Sequence, residues 1–242
     1  MEGCRARSNA RRSRVGLSPS VLPDGAGYRA FMLAKDLLLL AAAVRRPRPA
    51  LVATAVAGAV LAELATLERV QVTAGRTVAL LDARPTGEAV LDETIDRLQR
   101  MGPRNLDEVC RVMGRVVVVQ VEQALVAEGA ITLDESGRFG VTLAKERMVT
   151  DRDRLRALQA MLADVLTGET DADARAGSLT ALLHAAGWLT QVVSPLLATR
   201  GVQMDMSAAA RHISRGRWVD EPLVTLLANE HGGAAAAAMG AI

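Results

Sequence analysis

Apolar residues recur with a helical period over most of this chain. Between Leu155 and Leu166, for example, most of them lie three or four positions apart, which places them on one face of an α-helix. The same period predicts helices over about residues 28–44, 49–67, 88–101, 106–128 and 151–168, a helix or helix pair over 171–195, and closing helices over 206–216 and 222–242. Two stretches have β-branched or alternating apolar residues and predict small β-hairpins, at 69–81 around Ala74-Gly75 and at 130–143 around Ser136-Gly137.

Local signals place the ends of several helices. They are Thr86 as an N-cap, Gly102, Gly129, Gly168 and Pro195 as stops, and Gly232-Gly233 as the point where the last helix frays. The run "RVVVVQV" (115–121) is strand-like by itself. Because its flanks keep a helical period, it is predicted to belong to one long helix.

These elements predict a mainly α fold, a single globular domain in which amphipathic helices and two small β-hairpins surround a buried central helix. The domain is assigned to residues 27–242. Residues 1–26 contain Arg, Ser, Pro and Gly without an apolar period, and are predicted to be a disordered basic tail. The apolar run 50–62 is shorter than the roughly 20 residues that a membrane span needs, so it is predicted to be the central helix.

Composition adds a charge asymmetry to this picture. The net charge is +2, yet residues 1–50 carry ten Lys/Arg against three acids, and the remainder is acidic. A basic front end is typical of proteins that meet an anionic membrane or nucleic acid, although an ordinary tail explains it equally well. Cys4 and Cys110 form no disulfide framework, which favours a reducing cytoplasm.

Candidate catalytic chemistry is sparse. His184, His212 and His231 are far apart in sequence, and the chain has neither a phosphate-binding glycine loop nor a nucleophile motif. We therefore predict no enzyme, no metal site and no cofactor. Arg111 and Arg115 share a helical face and could bind a phosphate, but a solvated face is the simpler interpretation.

Five segments together resemble the Golgi phosphoprotein 3 family, in its bacterial, actinobacterial-type form. They are "LAKDLLLLAAA" (33–43), "AGAVLAELATLERVQV" (57–72), "DARPTGEAVLDETI" (82–95), "QALVAEGAI" (123–131) and "LTALLHAAGWL" (179–189). The resemblance implies a cytosolic, mostly helical protein that associates peripherally with membranes. It also implies binding of phosphatidylinositol 4-phosphate or another anionic phospholipid, and a role as an adaptor.

The resemblance also implies which residues meet the lipid. The family's head-group pocket uses a tryptophan and three arginines, whose positions here hold Arg48, Ala57, Arg115 and Val118. Arg48 and Arg111 are expected to supply charge in place of the missing groups, so the predicted head-group site is Arg48, Arg111 and Arg115. The family's membrane-inserting hairpin aligns with residues 134–145, which predicts that Phe139, Val141 and Leu143 contact the bilayer.

The expected partner is thus an anionic phospholipid membrane surface, with protein clients or self-association through the 130–143 hairpin as further partners. Two alternatives come from other classes. One is a fold-retaining interaction scaffold that has lost lipid binding, which the altered pocket favours. The other is a winged-helix DNA-binding regulator, suggested by the order of helix, glycine and hairpin over residues 121–143. The acidic body and the Val-rich helix argue against it, and no nucleic acid is expected.

Overall fold

The computed structural model of this chain describes residues 33–73, 75–134, 146–213 and 220–239. Within them the helices are α1 (Leu33–Ala42), α2 (Pro49–Thr66), α3 (Ala89–Met101), α4 (Leu106–Ala127), α5 (Arg152–Thr167), α6 (Ala174–Ala185), α7 (Leu189–Thr199), α8 (Met206–Ile213) and α9 (Asp220–Met239). The strands are β1 (Val70–Val72), β2 (Thr77–Leu80), β3 (Arg104–Asn105), β4 (Ile131–Asp134) and β5 (Glu146–Val149). The predicted mainly α architecture is confirmed.

The strands form two small antiparallel sheets. In the first, β2 lies between β1 and β3, with Val70 opposite Leu80 and Thr77 opposite Asn105. In the second, β4 pairs with β5 and Ile131 lies opposite Val149. The predicted hairpin ended its second strand at residue 143. Within the described residues, the strand that pairs with β4 is β5, which begins at Glu146.

Helix α2 forms the centre of the core because nearly all of its side chains are apolar and many are small. By length and composition it could cross a membrane, as could the α6–α7 pair if its 112° bend were disregarded, among the helices that the structure describes. However, 78% of the α2 stretch is buried inside the fold. Burial against other helices accounts for its apolar composition, as expected of a core helix.

Helices α2 and α4 cross at very close range. A Cβ atom added to Gly114 of α4 would lie 2.8 Å from the main-chain oxygen of Ala53 in α2. Only a residue without a side chain permits this approach, so Gly114 fixes where the two helices meet. The valine-rich part of α4 packs its buried side chains, including Val117 and Val121, into the same core.

Buried charges hold α1 in place. The Asp36 carboxylate is fully buried and pairs with the guanidinium groups of Arg154 and Arg175. The neighbouring Lys35 ammonium lies 3.1 Å from the Glu88 carboxylate and 2.9 Å from that of Glu128. Because each buried charge has a partner of opposite sign, the helix can be enclosed on almost every side.

The structure corrects the predicted N-cap of α3. The helix begins at Ala89 with Glu88 as its N-cap, and Thr86 lies outside it. The Thr86 hydroxyl instead donates to the Asp92 carboxylate at 2.7 Å, which also accepts the Thr86 and Gly87 main-chain N–H groups. Asp92 therefore folds the preceding turn back onto the first turn of α3.

Two predicted helix ends are also wrong. Pro195 does not stop α7. The helix continues to Thr199, and burial of Leu197 in the core stabilises the turn that follows the proline. The last helix does not fray after Gly232-Gly233 and continues to Met239 through a run of alanines. Alanine has the highest helix propensity of all residues, which outweighs the two glycines.

Candidate functional site

Arg48 lies at the junction of α2 and α9. It is the N-cap residue of α2, and its guanidinium donates a hydrogen bond of 3.0 Å to the main-chain carbonyl of Glu230 in α9. Six residues further along α2, the Thr54 hydroxyl lies 3.2 Å from the Glu230 carboxylate. Arg48 is thus anchored through a neutral carbonyl, and its charge stays uncompensated by any ion pair in the described part of the chain.

Arg111 and Arg115 lie on the exposed side of α4, next to the point where this helix crosses α2. Neither guanidinium has an ion-pair partner among the described residues. Some arginines on other surfaces are neutralised by carboxylates, as in the pairs Arg97–Glu93, Arg156–Asp153 and Arg200–Asp164. Others in the described ranges, such as Arg100 and Arg104, donate only to main-chain carbonyl groups. The two arginines on α4 therefore present unneutralised charge.

The segments that carry the three arginines come together at this junction. Ala53, against which Gly114 packs, is five residues beyond Arg48, or about 7.5 Å along the helix axis. Burial, then the charges of Asp107 and Glu230, raise the pKa of the Cys110 thiol to about 12. Glu230 therefore lies close to both segments: its main-chain carbonyl accepts a hydrogen bond from Arg48, and its charge affects the Cys110 thiol, one residue before Arg111.

Exposed valines lie beside these arginines on α4. Val112, Val119 and Val126 have relative exposures of 49%, 46% and 42%, whereas four other valines of this helix are buried. They are seven residues apart, two helical turns, so they form one row. Arg115 lies three residues after Val112 and four before Val119, on the same side. We call Arg111, Val112, Arg115, Val119 and Val126 the α4 face.

The base of the β4–β5 hairpin is fixed to the same helix. The Arg147 guanidinium of β5 donates a hydrogen bond of 2.6 Å to the buried Glu122 carboxylate of α4. Met148, the next residue of β5, is 56% exposed. The predicted membrane-contacting residues Phe139, Val141 and Leu143 lie outside the described residues, so their placement stays a prediction.

The described residues offer no metal centre. No group of three or more His, Cys, Asp or Glu side chains among them is arranged to hold a metal ion. His184 and His231 lie on different helices, α6 and α9. The α4 face presents guanidinium groups and apolar side chains, which suit binding of an anionic, partly apolar surface. The acidic residues Asp107 and Glu108 lie within one turn before Arg111.

A comparison with protein-family models matches residues 33–229 to Golgi phosphoprotein 3 (GPP34). The chain belongs to the Golgi phosphoprotein 3 family. At the level of the family, this fits a lipid-binding protein that is peripheral to membranes and generally not an enzyme. A search of curated proteins found no match to the chain.

By the alignment that the resemblance implies, this Golgi phosphoprotein 3 family member lacks two arginines of the family's head-group pocket, and Arg48 stands in place of the pocket's tryptophan. Ala57 and Val118, which stand where the family has arginines, are 2% and 9% exposed and belong to the hydrophobic core. The gap beside Ala57 is too small for a water molecule. A head group that enters between α2 and α4 as a buried ligand is therefore excluded at this point, and any contact has to occur at the surface.

Sequence reasoning missed the exposure of the valines on α4. Residues 116–119 are four consecutive valines, so the sequence pattern did not show which of them face the core. The missed signal is the seven-residue spacing of Val112, Val119 and Val126. That spacing could have identified the row, because only one face of a helix packed on one side is buried.

Proposed function

We propose that this protein is a cytoplasmic, non-catalytic adaptor that binds anionic phospholipid surfaces, including those containing phosphatidylinositol 4-phosphate. The α4 face and Arg48 form the contact. The observation that carries the proposal is the presence of two unneutralised guanidinium groups within a row of exposed valines. Guanidinium groups bind phosphate oxygens in bidentate geometry, and neighbouring apolar side chains enter the head-group region of a bilayer.

The buried state of Ala57 and Val118 supports binding by charge more than by recognition of one head group. Two phosphate-binding arginines of the family are missing, and each contact to a phosphate is worth about 1.5–3 kcal/mol. We therefore expect vesicles with equal surface charge to bind similarly, whether the charge comes from phosphatidylserine or from phosphatidylinositol 4-phosphate.

Vesicle flotation tests the proposal. The full chain is mixed with vesicles of phosphatidylcholine alone, or with added phosphatidylserine or phosphatidylinositol 4-phosphate at matched surface charge. Arg111→Gln/Arg115→Gln is expected to weaken binding to both anionic vesicles by about 2 kcal/mol, roughly 30-fold, at about 1 kcal/mol per charge. The matched control is Arg100→Gln/Arg152→Gln, which removes the same charge from α3 and α5.

Binding to anionic vesicles no stronger than to phosphatidylcholine would show that the proposed function is wrong. That result would favour the interaction scaffold, since the apolar replacement of two pocket arginines also fits a protein that has kept the fold and lost the lipid. The winged-helix alternative has less support, because the described face of α4 presents valines where a DNA-reading helix needs polar side chains.

A further inference from the structure

A second basic region lies at the loop between α1 and α2, and it shares Arg48 with the proposed membrane contact. Arg45, Arg46 and Arg48 line one side of a cleft there with a volume of about 150 Å³. The corner between α6 and α7 forms the opposite side, and His231 of α9 also lines it. Sites for drug-sized ligands measure roughly 300–1,000 Å³, so this cleft suits a single small group.

The cleft is strongly cationic. Arg45 and Arg46 are exposed, and no ion pair neutralises either of them in the described part of the chain. Arg48 is bound only to the Glu230 carbonyl, a neutral acceptor. The residues that line the cleft include three arginines and a histidine, and among the described lining residues there is no Asp or Glu. The Glu230 carboxylate itself is directed to the Thr54 hydroxyl.

The walls of the cleft are held by specific contacts. The Gln191 side-chain oxygen accepts the Arg45 main-chain N–H at 3.2 Å and ties the loop to α7. Trp188, which is 4% exposed, also lines the cleft and packs in the hydrophobic core. A Cβ atom added to Gly187 would lie 2.5 Å from the His231 ring, so the imidazole rests directly on the α6–α7 corner.

The backbone of Arg46 adopts a conformation that its own chemistry disfavours. Its φ angle is +50°, in the left-handed region, although it is neither glycine nor asparagine and Pro47 follows it. A residue before proline normally adopts an extended conformation. Strained backbone persists where surrounding structure enforces it, and it is concentrated at ligand-binding sites. Here the strained residue lies in the four-residue segment whose three arginines line the cleft.

We propose that this cleft binds a phosphate monoester. Such a group carries a charge of about −1.5 to −2 at pH 7 and has three strong acceptor oxygens, which match guanidinium donors in number and geometry. The proposal adds to the proposed function a site for one phosphate, separate from Arg111 and Arg115. The phosphate belongs either to a lipid head group or to a soluble phosphorylated compound, and both present the same chemistry to the cleft.

Calorimetric titration of the full chain with inositol 1,4-bisphosphate, and separately with inorganic phosphate, measures this site without a membrane. Arg45→Gln/Arg46→Gln is expected to weaken binding of the bisphosphate by at least about 100-fold, or about tenfold for each guanidinium lost. The Arg100→Gln/Arg152→Gln control is expected to bind like the unaltered chain. Absence of binding to both probes, or equal binding by the Arg45/Arg46 variant, would overturn the proposal.

A second variant separates the site from the stability of the fold. Arg46→Gly removes one guanidinium and places at φ +50° the residue that best tolerates that angle. We expect its melting temperature to equal or exceed that of the unaltered chain, while its affinity for the bisphosphate falls about tenfold. Unchanged affinity in this stably folded variant would count against a role for Arg46 in binding.

Vesicle flotation then identifies the source of the phosphate. If the ligand is a lipid, Arg45→Gln/Arg46→Gln weakens flotation on phosphatidylinositol 4-phosphate vesicles more than on phosphatidylserine vesicles of equal charge. If the ligand is soluble, the variant no longer binds the bisphosphate in the titration. Its flotation then weakens to the same extent on both kinds of vesicle, because it has lost two positive charges. Loss of flotation on anionic vesicles with an intact titration would overturn the proposed function alone. Loss of the titration with intact flotation on phosphatidylserine vesicles would overturn the cleft proposal alone.

Discussion

Glu63 is a carboxyl group that the fold encloses beside the first turn of α1. It is 7% exposed, and one of its oxygens accepts the Leu33 main-chain N–H at 2.9 Å. Burial, assisted by the nearby charges of Asp36 and Glu88, raises the pKa of Glu63 to about 7, although the Leu33 hydrogen bond and Arg175 oppose the shift. Glu63 therefore titrates near neutral pH.

This raised pKa makes stability depend on pH in a defined direction. Between pH 4.5 and 7 the folded protein binds a proton at Glu63 that the unfolded chain releases, so the free energy of unfolding falls as pH rises through this range. The loss is about 3 kcal/mol and is complete above pH 7. Glu63→Gln, whose amide oxygen still accepts the Leu33 N–H, is expected to be increasingly more stable than the unaltered chain from pH 5 to pH 8.

Urea denaturation followed by circular dichroism at pH 5, 6, 7 and 8 measures this difference. Glu169→Gln, at an exposed position on the loop after α5, controls for the loss of one carboxylate. A stability difference between Glu63→Gln and the unaltered chain that stays constant over the four pH values would contradict the burial argument.

The sequence did not reveal these buried charges. Lys35 and Asp36 stand in the segment "LAKDLLLLAAA", where a helical period alone assigns charged residues to the solvent side. Their partners are the N-cap residue of α3, the C-cap residue of α4, and arginines of α5 and α6, and Arg175 is 139 residues away from Asp36. Pairs at such separations follow from the tertiary fold, which local patterns do not contain.

At the scale of the elements, the crossing of α2 and α4 depends on one small residue. Gly114 meets the main chain of Ala53, which cannot move without displacing α2. Gly58, on α2 itself, faces side chains alone: an added Cβ would lie 3.2 Å from Leu223 and 3.9 Å from Leu182. The two glycines have the same helical environment, but a rigid neighbour faces one and a side-chain methyl group faces the other.

Substitution by alanine should therefore destabilise the protein much more at Gly114 than at Gly58. Alanine is favoured over glycine within a helix by about 1 kcal/mol, whereas forced overpacking costs about 1–3 kcal/mol. We expect Gly114→Ala to destabilise the protein by about 1–2 kcal/mol and Gly58→Ala to change stability by less than about 0.5 kcal/mol. Thermal unfolding of both variants measures the contrast, and equal melting temperatures would disprove the close crossing.

Elements with a clear apolar period were predicted well, and those whose ends depend on packing were not. The bounds of α4 and α5 agree with the predicted helices to within about two residues, and Gly168 has the left-handed φ expected of a C-cap. Pro195 was misjudged because core contacts continue beyond it. β3 was not predicted at all, since a two-residue strand has no pattern and exists only through its pairing with β2.

For the whole molecule, the distribution of charge connects the arginines of the domain to the first part of the sequence. Residues 1–26 contain five arginines and two acids. Each basic residue near an anionic leaflet contributes about 1 kcal/mol, and salt screens this contribution. The arginine-rich segment should therefore strengthen membrane association without determining where on the domain the lipid binds.

Removal of residues 2–26 is expected to weaken binding to phosphatidylserine vesicles at 50 mM salt by about tenfold or more, and to reduce the dependence on salt. A chain in which the same 25 residues are shuffled should bind like the unaltered chain, because only the charge matters. Flotation over a salt series compares the three proteins. Equal binding by the truncated chain at low salt would show that the segment makes no contribution.

The candidate site was only partly accessible from sequence. The resemblance to the family pointed to Arg48 and Arg115, and helical spacing added Arg111. The absence of carboxylate partners and the exposure of Val112 and Val119 required the structure, because both depend on which face of α4 is left uncovered. The cleft at Arg45 and Arg46 likewise depends on the α6–α7 corner, more than 130 residues further along the chain.

The buried Asp36 has a consequence for how this chain is made. During synthesis on the ribosome, α1 emerges long before Arg154 and Arg175, which neutralise that carboxylate in the finished protein. Until translation has passed residue 175, the helix has neither its counter-ions nor the later helices that cover its leucines. Nascent chains of intermediate length therefore expose an apolar segment of the kind that chaperones protect.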